Sequence, residues 1–126
     1  MRRKILIVDD EVHIRTLLEQ TLEEVESAGV EIHVAVDGVD GLAKIEEERP
    51  DLVFLDAMMP RMSGYDVCRK VKHELGIEDV YIVMLTAKGQ AVDREDGYAA
   101  GADVFATKPF DPDEIVSIAE GVLQLN

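Results

Sequence analysis

The sequence predicts an α/β protein built on an open, parallel, doubly wound sheet, and three observations carry that expectation. Five apolar, mostly β-branched runs, at residues 5–8, 32–36, 52–55, 81–85 and 104–106, alternate strictly with segments of helical periodicity. Five βα units in that alternation place the strands in one parallel sheet with helices on both faces. Polar groups also stand where the runs end: Asp9 and Asp10 after the first, Asp56 after the third, Thr86 after the fourth and Lys108 after the fifth. In a parallel sheet those carboxyl ends share one edge, where ligands bind.

The elements follow in order. Residues 5–8 form a strand covered on both faces, and Asp9 ends it. Ile14, Leu17, Leu18, Leu22 and Val25 then recur at helical spacing, with Glu19, Glu23, Glu24 and Glu26 off the stripe and Gly29 as the stop. The run 32–36 contains His33 and reads as an outer strand with some solvent contact, His33 being a strand residue and not a metal ligand. Val39, Leu42 and Ala43 open a second helix that the solvated run Glu46-Glu47-Glu48 and then Pro50 bring to an end. Residues 52–55 deliver Asp56 to the sheet edge. Ser63 with Asp66 three residues on is an N-cap signal for a third helix, whose apolar side is Val67, Cys68, Val71 and Leu75 and whose stop is Gly76. After the strand 81–85, the segment 90–100 is the weakest helix. It is strongly polar and holds Gly97 at a cost of about 1 kcal/mol relative to alanine, so a marginal, mobile element is expected. Asp111, Pro112 and Glu114 then start a last helix lined by Ile115, Ile118, Ala119, Val122 and Leu123.

Composition narrows the function. The 126 residues are expected to form one domain, 1–126, large enough for a single core. A formal net charge of −14 argues against direct nucleic-acid contact and against an anionic membrane surface. The start, Met1 to Lys4, precedes only four apolar residues, too few for a signal peptide, and reads as an exposed lead into the first strand. One cysteine, Cys68, excludes an internal disulfide, agrees with a reducing cytoplasm and sits where a small core residue is needed.

The chemistry is concentrated at the sheet edge. Asp9, Asp10 and Asp56 brought together repel one another, which either raises a pKa or is relieved by a cation. Oxygen donors of this kind suit Mg²⁺, which keeps open positions for a phosphate. Lys108 adds a compact positive charge and Thr86 a hydroxyl, each able to hold a phosphate oxygen. Singly, each residue fits an ordinary role as a cap, turn, strand end or surface charge. Jointly, at one edge, they describe a site for phosphoryl transfer onto a carboxylate.

The ordered set Ile7-Val8-Asp9-Asp10-Glu11, Leu55 to Pro60 with Ser63-Gly64, Leu85-Thr86-Ala87, Gly101-Ala102-Asp103 and Thr107 to Phe110 resembles the receiver domain of bacterial two-component response regulators along essentially the whole chain. The resemblance implies a flavodoxin-like (βα)5 fold with strand order 2-1-3-4-5. It implies that Asp56 is phosphorylated by a histidine kinase or histidine phosphotransfer protein in a phosphorelay, and that Asp10, Asp56 and the Met58 carbonyl bind Mg²⁺, with Asp9 acting mainly through water. Thr86 and Lys108 would contact the phosphoryl group, and Lys108-Pro109 would be cis. Thr86 and Phe105 would form the switch pair, with the ring turning inward on phosphorylation, and Met58 and Lys88 would tune phosphate lifetime. Phe105 stands where tyrosine is common, so any discrimination that uses a hydroxyl there is lost.

The output face implied is the fourth helix, fifth strand and fifth helix. The fifth helix has no Lys or Arg, so a monomer or weak dimer is expected, acting on a downstream protein target or output domain with no nucleic acid or membrane contact. Two other functions compete. An aspartate-nucleophile phosphatase needs a second acid two residues after the nucleophile, where this chain has Met58. A phosphorylation-independent interaction domain has no need of the five pocket residues.

Overall fold

A computed structural model describes residues 3–87 and 94–125. Five parallel strands, β1 (Lys4–Val8), β2 (Glu31–Ala35), β3 (Leu52–Asp56), β4 (Tyr81–Ala87) and β5 (Val104–Lys108), lie in the order β2-β1-β3-β4-β5. The interior strand β3 is buried at all five positions, whereas the edge strand β2 is only partly covered until Ala35, as its mixed composition requires. His33 is half-exposed there and faces Glu31 at 3.1 Å and Glu48 at 4.0 Å.

The period of two along each strand divides the core into two layers. Leu6, Val8, Val53, Leu55, Met84 and Phe105 point to one face, and Ile5, Ile7, Phe54, Val83, Leu85 and Ala106 to the other. Helices α3 (Gly38–Glu48), α4 (Gly64–Arg69) and α5 (Arg94–Ala100) cover the first face; α1 (Val12–Thr21), α2 (Glu23–Ser27) and α6 (Pro112–Leu123) cover the second.

Among the described residues the expected helices form, with some differences. The first breaks at Leu22, whose ψ of 10° leaves α-helical geometry, so one expected helix becomes α1 and α2. Leu17 lies on the solvent side at 46 % exposure; the buried stripe runs through Leu18, Leu22 and Val25, with Ile14 half-buried. The third helix passes from α4 into a π-helical turn at Lys70–Glu74. A wider turn rotates everything after it, so Leu75, expected in the core, is 46 % exposed while Val67, Cys68 and Val71 are fully buried. Glu48, expected to be solvated with its neighbours, instead receives Lys4 Nζ at 3.0 Å.

Caps follow the sequence. Ser63 Oγ accepts the Asp66 N–H at 3.2 Å while an Asp66 carboxylate oxygen accepts the Ser63 N–H at 3.1 Å, a reciprocal cap worth about 1 kcal/mol. The Asp111 side chain accepts the Asp113 N–H with Pro112 at the first helical position. Gly64, the first residue of α4, lies directly over the end of β3. A Cβ there would sit 2.9 Å from Ala57 Cα and closer still to the Asp56 carbonyl oxygen. Backbone cannot move aside as a side chain can. Gly64→Ala is therefore expected to lower stability by about 1–3 kcal/mol in urea denaturation, against a gain of about 0.5–1 kcal/mol for alanine at the open, exposed helical Gly121.

Candidate functional site

The sheet brings the predicted residues together where its strands end. Asp56 is the last residue of β3 and pairs in register with Leu85, so Thr86 is the next position on β4. Asp9 directly follows β1, and Lys108 closes β5. Asp9, Asp56 and Thr86 are buried at 0 %, 6 % and 5 % exposure, while Asp10 is exposed. Each of Asp9, Asp10 and Asp56 offers a carboxylate oxygen within 4.8 Å of the others, a cluster that could hold a metal ion.

Lys108 is the counter-charge. Its Nζ lies 2.8 Å from Asp9 Oδ2 and 3.2 Å from Asp56 Oδ1, with its side chain 13 % exposed. Burial opposes its charge, but the bonds to both carboxylates outweigh that and hold its pKa above the ordinary value. Asp9 uses its other oxygen, Oδ1, to accept the Glu11 N–H at 2.9 Å. Both oxygens of Asp9 thus accept hydrogen bonds. The donors are hard oxygens and the exposed Asp10 leaves one side open, so the residues fit a hard divalent ion with retained waters.

Asp56 bears the unresolved charge. Burial and then the nearby Asp9 raise its pKa from 3.8 to about 6, against the lowering effects of Lys108 and of the Met58 N–H, 3.4 Å from Oδ1. Met58 itself is 55 % exposed, at the mouth of the site. Lys88 lies outside the described residues, as do residues 90–93 of the expected fourth helix. The Lys108-Pro109 bond is cis, as the resemblance implied.

Phe105 lies beneath α5 at 8 % exposure, its ring edge-on to Tyr98 with centroids 5.0 Å apart. The ring fills the space that a side chain at position 97 would take, since a Cβ on Gly97 would approach Cε1 and Cε2 to 3.1 Å and Cζ more closely. The glycine read as a helix weakness is thus the notch that admits the ring. Cys68 is buried and its thiol pKa is pushed up to about 12, mainly by burial, as a core residue's would be.

Two cationic fasteners went unread in the sequence, one at the site and one at the opposite edge of the sheet. Arg15 Nη1 donates to the main-chain oxygen of Asp9 at 2.7 Å. Lys72 donates to the carbonyls of Glu78 at 3.2 Å and Val80 at 2.5 Å and lies 3.8 Å from Asp103, whose carboxylate accepts the Ile82 N–H at 2.8 Å. Both cations satisfy backbone carbonyls, a use with no periodic or motif signature. The i,i+4 spacing of Arg15 from Glu11, at the start of α1, was the one available hint.

The response regulator receiver domain model matches residues 5–120, and the chain belongs to that family. It is 40 % identical over 98 % of its length to the alkaline phosphatase synthesis transcriptional regulatory protein PhoP of Bacillus subtilis, covering 50 % of that protein. It is 38 % identical over 96 % of its length to the DNA-binding dual master transcriptional regulator RpaA of a Synechocystis strain, covering 49 % of it. Chemotaxis protein CheY4 of Vibrio cholerae superposes with a TM-score of 0.83 at 32 % identity, over 97 % of this chain and 99 % of that one. The chain spans about half the length of the curated relatives it matches.

These relatives overturn one expectation. Direct nucleic-acid contact was excluded on net charge, yet RpaA is described as DNA-binding and PhoP as a transcriptional regulator. Net charge reports only on the surface of the residues counted, and the relatives are about twice as long as the aligned segment. Among the described residues no helix is long and apolar enough to cross a membrane.

The raised pKa of Asp56 sets a pH dependence. The folded state holds this proton more tightly than the unfolded chain, so the group's contribution to stability is full below about pH 4 and is lost as pH rises through about 6. Asp56→Asn is therefore expected to be more stable than the native chain at pH 7.5, by roughly 1–3 kcal/mol, with the difference shrinking toward pH 4 in urea titrations. A difference that does not vary with pH would contradict this account.

Proposed function

We propose that this chain is a phosphorylation-controlled signalling switch in which Asp56 accepts a phosphoryl group from a phosphohistidine on a histidine kinase or phosphotransfer protein. The observation that carries the reading is the placement of a buried carboxylate at a sheet edge, crowded by Asp9 and contacted by one lysine. In the transfer, an Asp56 oxygen forms a bond to phosphorus as the donor's phosphorus–nitrogen bond breaks. The freed imidazole takes up a proton.

Asp10 and Asp56, with the main-chain carbonyl of Met58 and with Asp9 through water, would hold Mg²⁺, which when bound offsets repulsion between the nucleophile and the phosphoryl oxygens. Lys108 supplies a positive charge to one of those oxygens and Thr86 a hydroxyl to another. On transfer, Lys108 exchanges part of its contact with the carboxylate for contact with the phosphoryl group. Met58 and Lys88 control the approach of water and so the lifetime of the acyl phosphate.

Thr86 and Phe105 pass the change outward. Because the ring fills the notch at Gly97, a shift of β4 and β5 that moves Phe105 must also move α5. The output face is α5, β5 and α6, and similarity to RpaA and PhoP supports control of transcription as the downstream event. A cytoplasmic setting belongs with this reading.

Incubation with Mg²⁺ and acetyl phosphate is expected to add one phosphoryl mass to the native chain and none to Asp56→Asn. No adduct on the native chain, with Mg²⁺ binding verified and several kinases tried as donors, would favour a constitutive interaction domain. At low Mg²⁺ the rate should fall as pH drops below about 6, because protonated Asp56 is not a nucleophile. Raising Mg²⁺, which binds the carboxylate, should move that acid limb to lower pH; a limb indifferent to Mg²⁺ would show that another group titrates.

A further inference from the structure

We propose that Arg15 is a positioning residue for the cation-binding turn, acting through the backbone of Asp9; this rests on the reading of Asp9, Asp10 and Asp56 as a Mg²⁺ site. Arg15 stands one turn into α1 and is half-buried, and its Nη1 reaches back to the Asp9 main-chain oxygen at 2.7 Å. That distance is at the short, charge-assisted end for a nitrogen donor. The carbonyl it meets stands just past β1, where the ladder ends.

The rest of the turn is held through the N–H and the side chain of Asp9. Glu11, the N-cap of α1, makes no side-chain cap bond, and its own N–H is met by Asp9 Oδ1 at 2.9 Å. The Asp9 N–H reaches Ala35 O at a long 3.3 Å, and Asp9 Oδ2 is taken by Lys108 at 2.8 Å. Asp10 is exposed, and its direction is set by the peptides on either side of it. Fixing the Asp9 carbonyl fixes the plane of the Asp9-Asp10 peptide, and with it the base from which the Asp10 carboxylate is aimed. Lys108 is committed to the front of that site, where the phosphoryl group arrives. Arg15 supports the turn from the helix side and remains in place when Lys108 changes partners.

A residue that holds a ligand's support typically changes metal affinity by about 10-fold or more when removed. Arg15→Met keeps the packed stem and deletes the charge and donors, and Arg15→Lys keeps the charge and one donor. Calorimetric Mg²⁺ titration of the unphosphorylated proteins is expected to show affinity lowered about 10-fold in Arg15→Met and largely recovered in Arg15→Lys. In metal-free protein the Glu11 amide should exchange faster in Arg15→Met. The rate of Asp56 modification by acetyl phosphate at saturating Mg²⁺ should equal that of the native chain, since Arg15 does not touch the reacting atoms. Native affinity in Arg15→Met, or a lowered rate at saturating Mg²⁺ with affinity intact, would overturn the inference. A native chain that binds Mg²⁺ but gains no adduct would sink the phosphotransfer reading while the affinity comparison still decides the role of Arg15; a native chain that binds no Mg²⁺ overturns both.

Discussion

The constraint on which the rest depends is the crowding of three carboxylates around one lysine at the carboxyl edge of the sheet. Asp9 and Asp56 are held out of water, with Lys108 within 3.2 Å of both and Asp10 close enough to share a cation with them. Such an arrangement is unfavourable in isolation, because burial penalises each charge and proximity adds repulsion. It persists because the sheet fixes the strand ends from which Asp9, Asp56 and Lys108 project. The strain is electrostatic and local, and binding either a cation or a proton relieves it. A site in that condition is prepared to take up a charged ligand before any ligand arrives.

The supporting structure follows from holding those ends still. β3 is buried throughout, so Asp56 emerges from the most constrained strand of the sheet. Gly64 lets α4 close over the same strand end, with its N–H 2.9 Å from the Ala57 carbonyl. Arg15 and Lys72 bind backbone carbonyls with cationic side chains, one at the acidic turn and one beneath the start of β4. Charges that look like surface decoration in the sequence are used here as fasteners for loops.

Legibility in the sequence followed the range of the interaction. Strand and helix identities were legible because they rest on periods of two and 3.6, and strand order because a family resemblance supplied it. Asp9, Asp10, Asp56, Thr86 and Lys108 were legible as a group because a parallel sheet gathers strand ends. The break at Leu22 and the π-helical turn at Lys70–Glu74 were not, since each depends on a fraction of a turn that residue spacing does not encode. Leu75 was misplaced for the same reason, whereas Leu17, which precedes the break, lies at the edge of a stripe centred on Leu18, Leu22 and Val25. The notch at Gly97 was seen only as a cost to its helix, because its benefit lies in a ring eight positions away. The nucleic-acid expectation failed differently, by treating the charge of a segment as a property of the longer proteins it resembles.

The two core layers have a consequence for how such a chain diverges. Leu6, Val53 and Phe105 face one helical layer and Ile5, Phe54 and Leu85 the other, with the sheet between them. Substitutions in one layer are screened from those in the other by backbone that does not change. The face formed by α5, β5 and α6 is the exception, since it takes one helix from each layer. The chemistry lies at the rim where both layers end, so a change within either layer reaches it only through the strand ends.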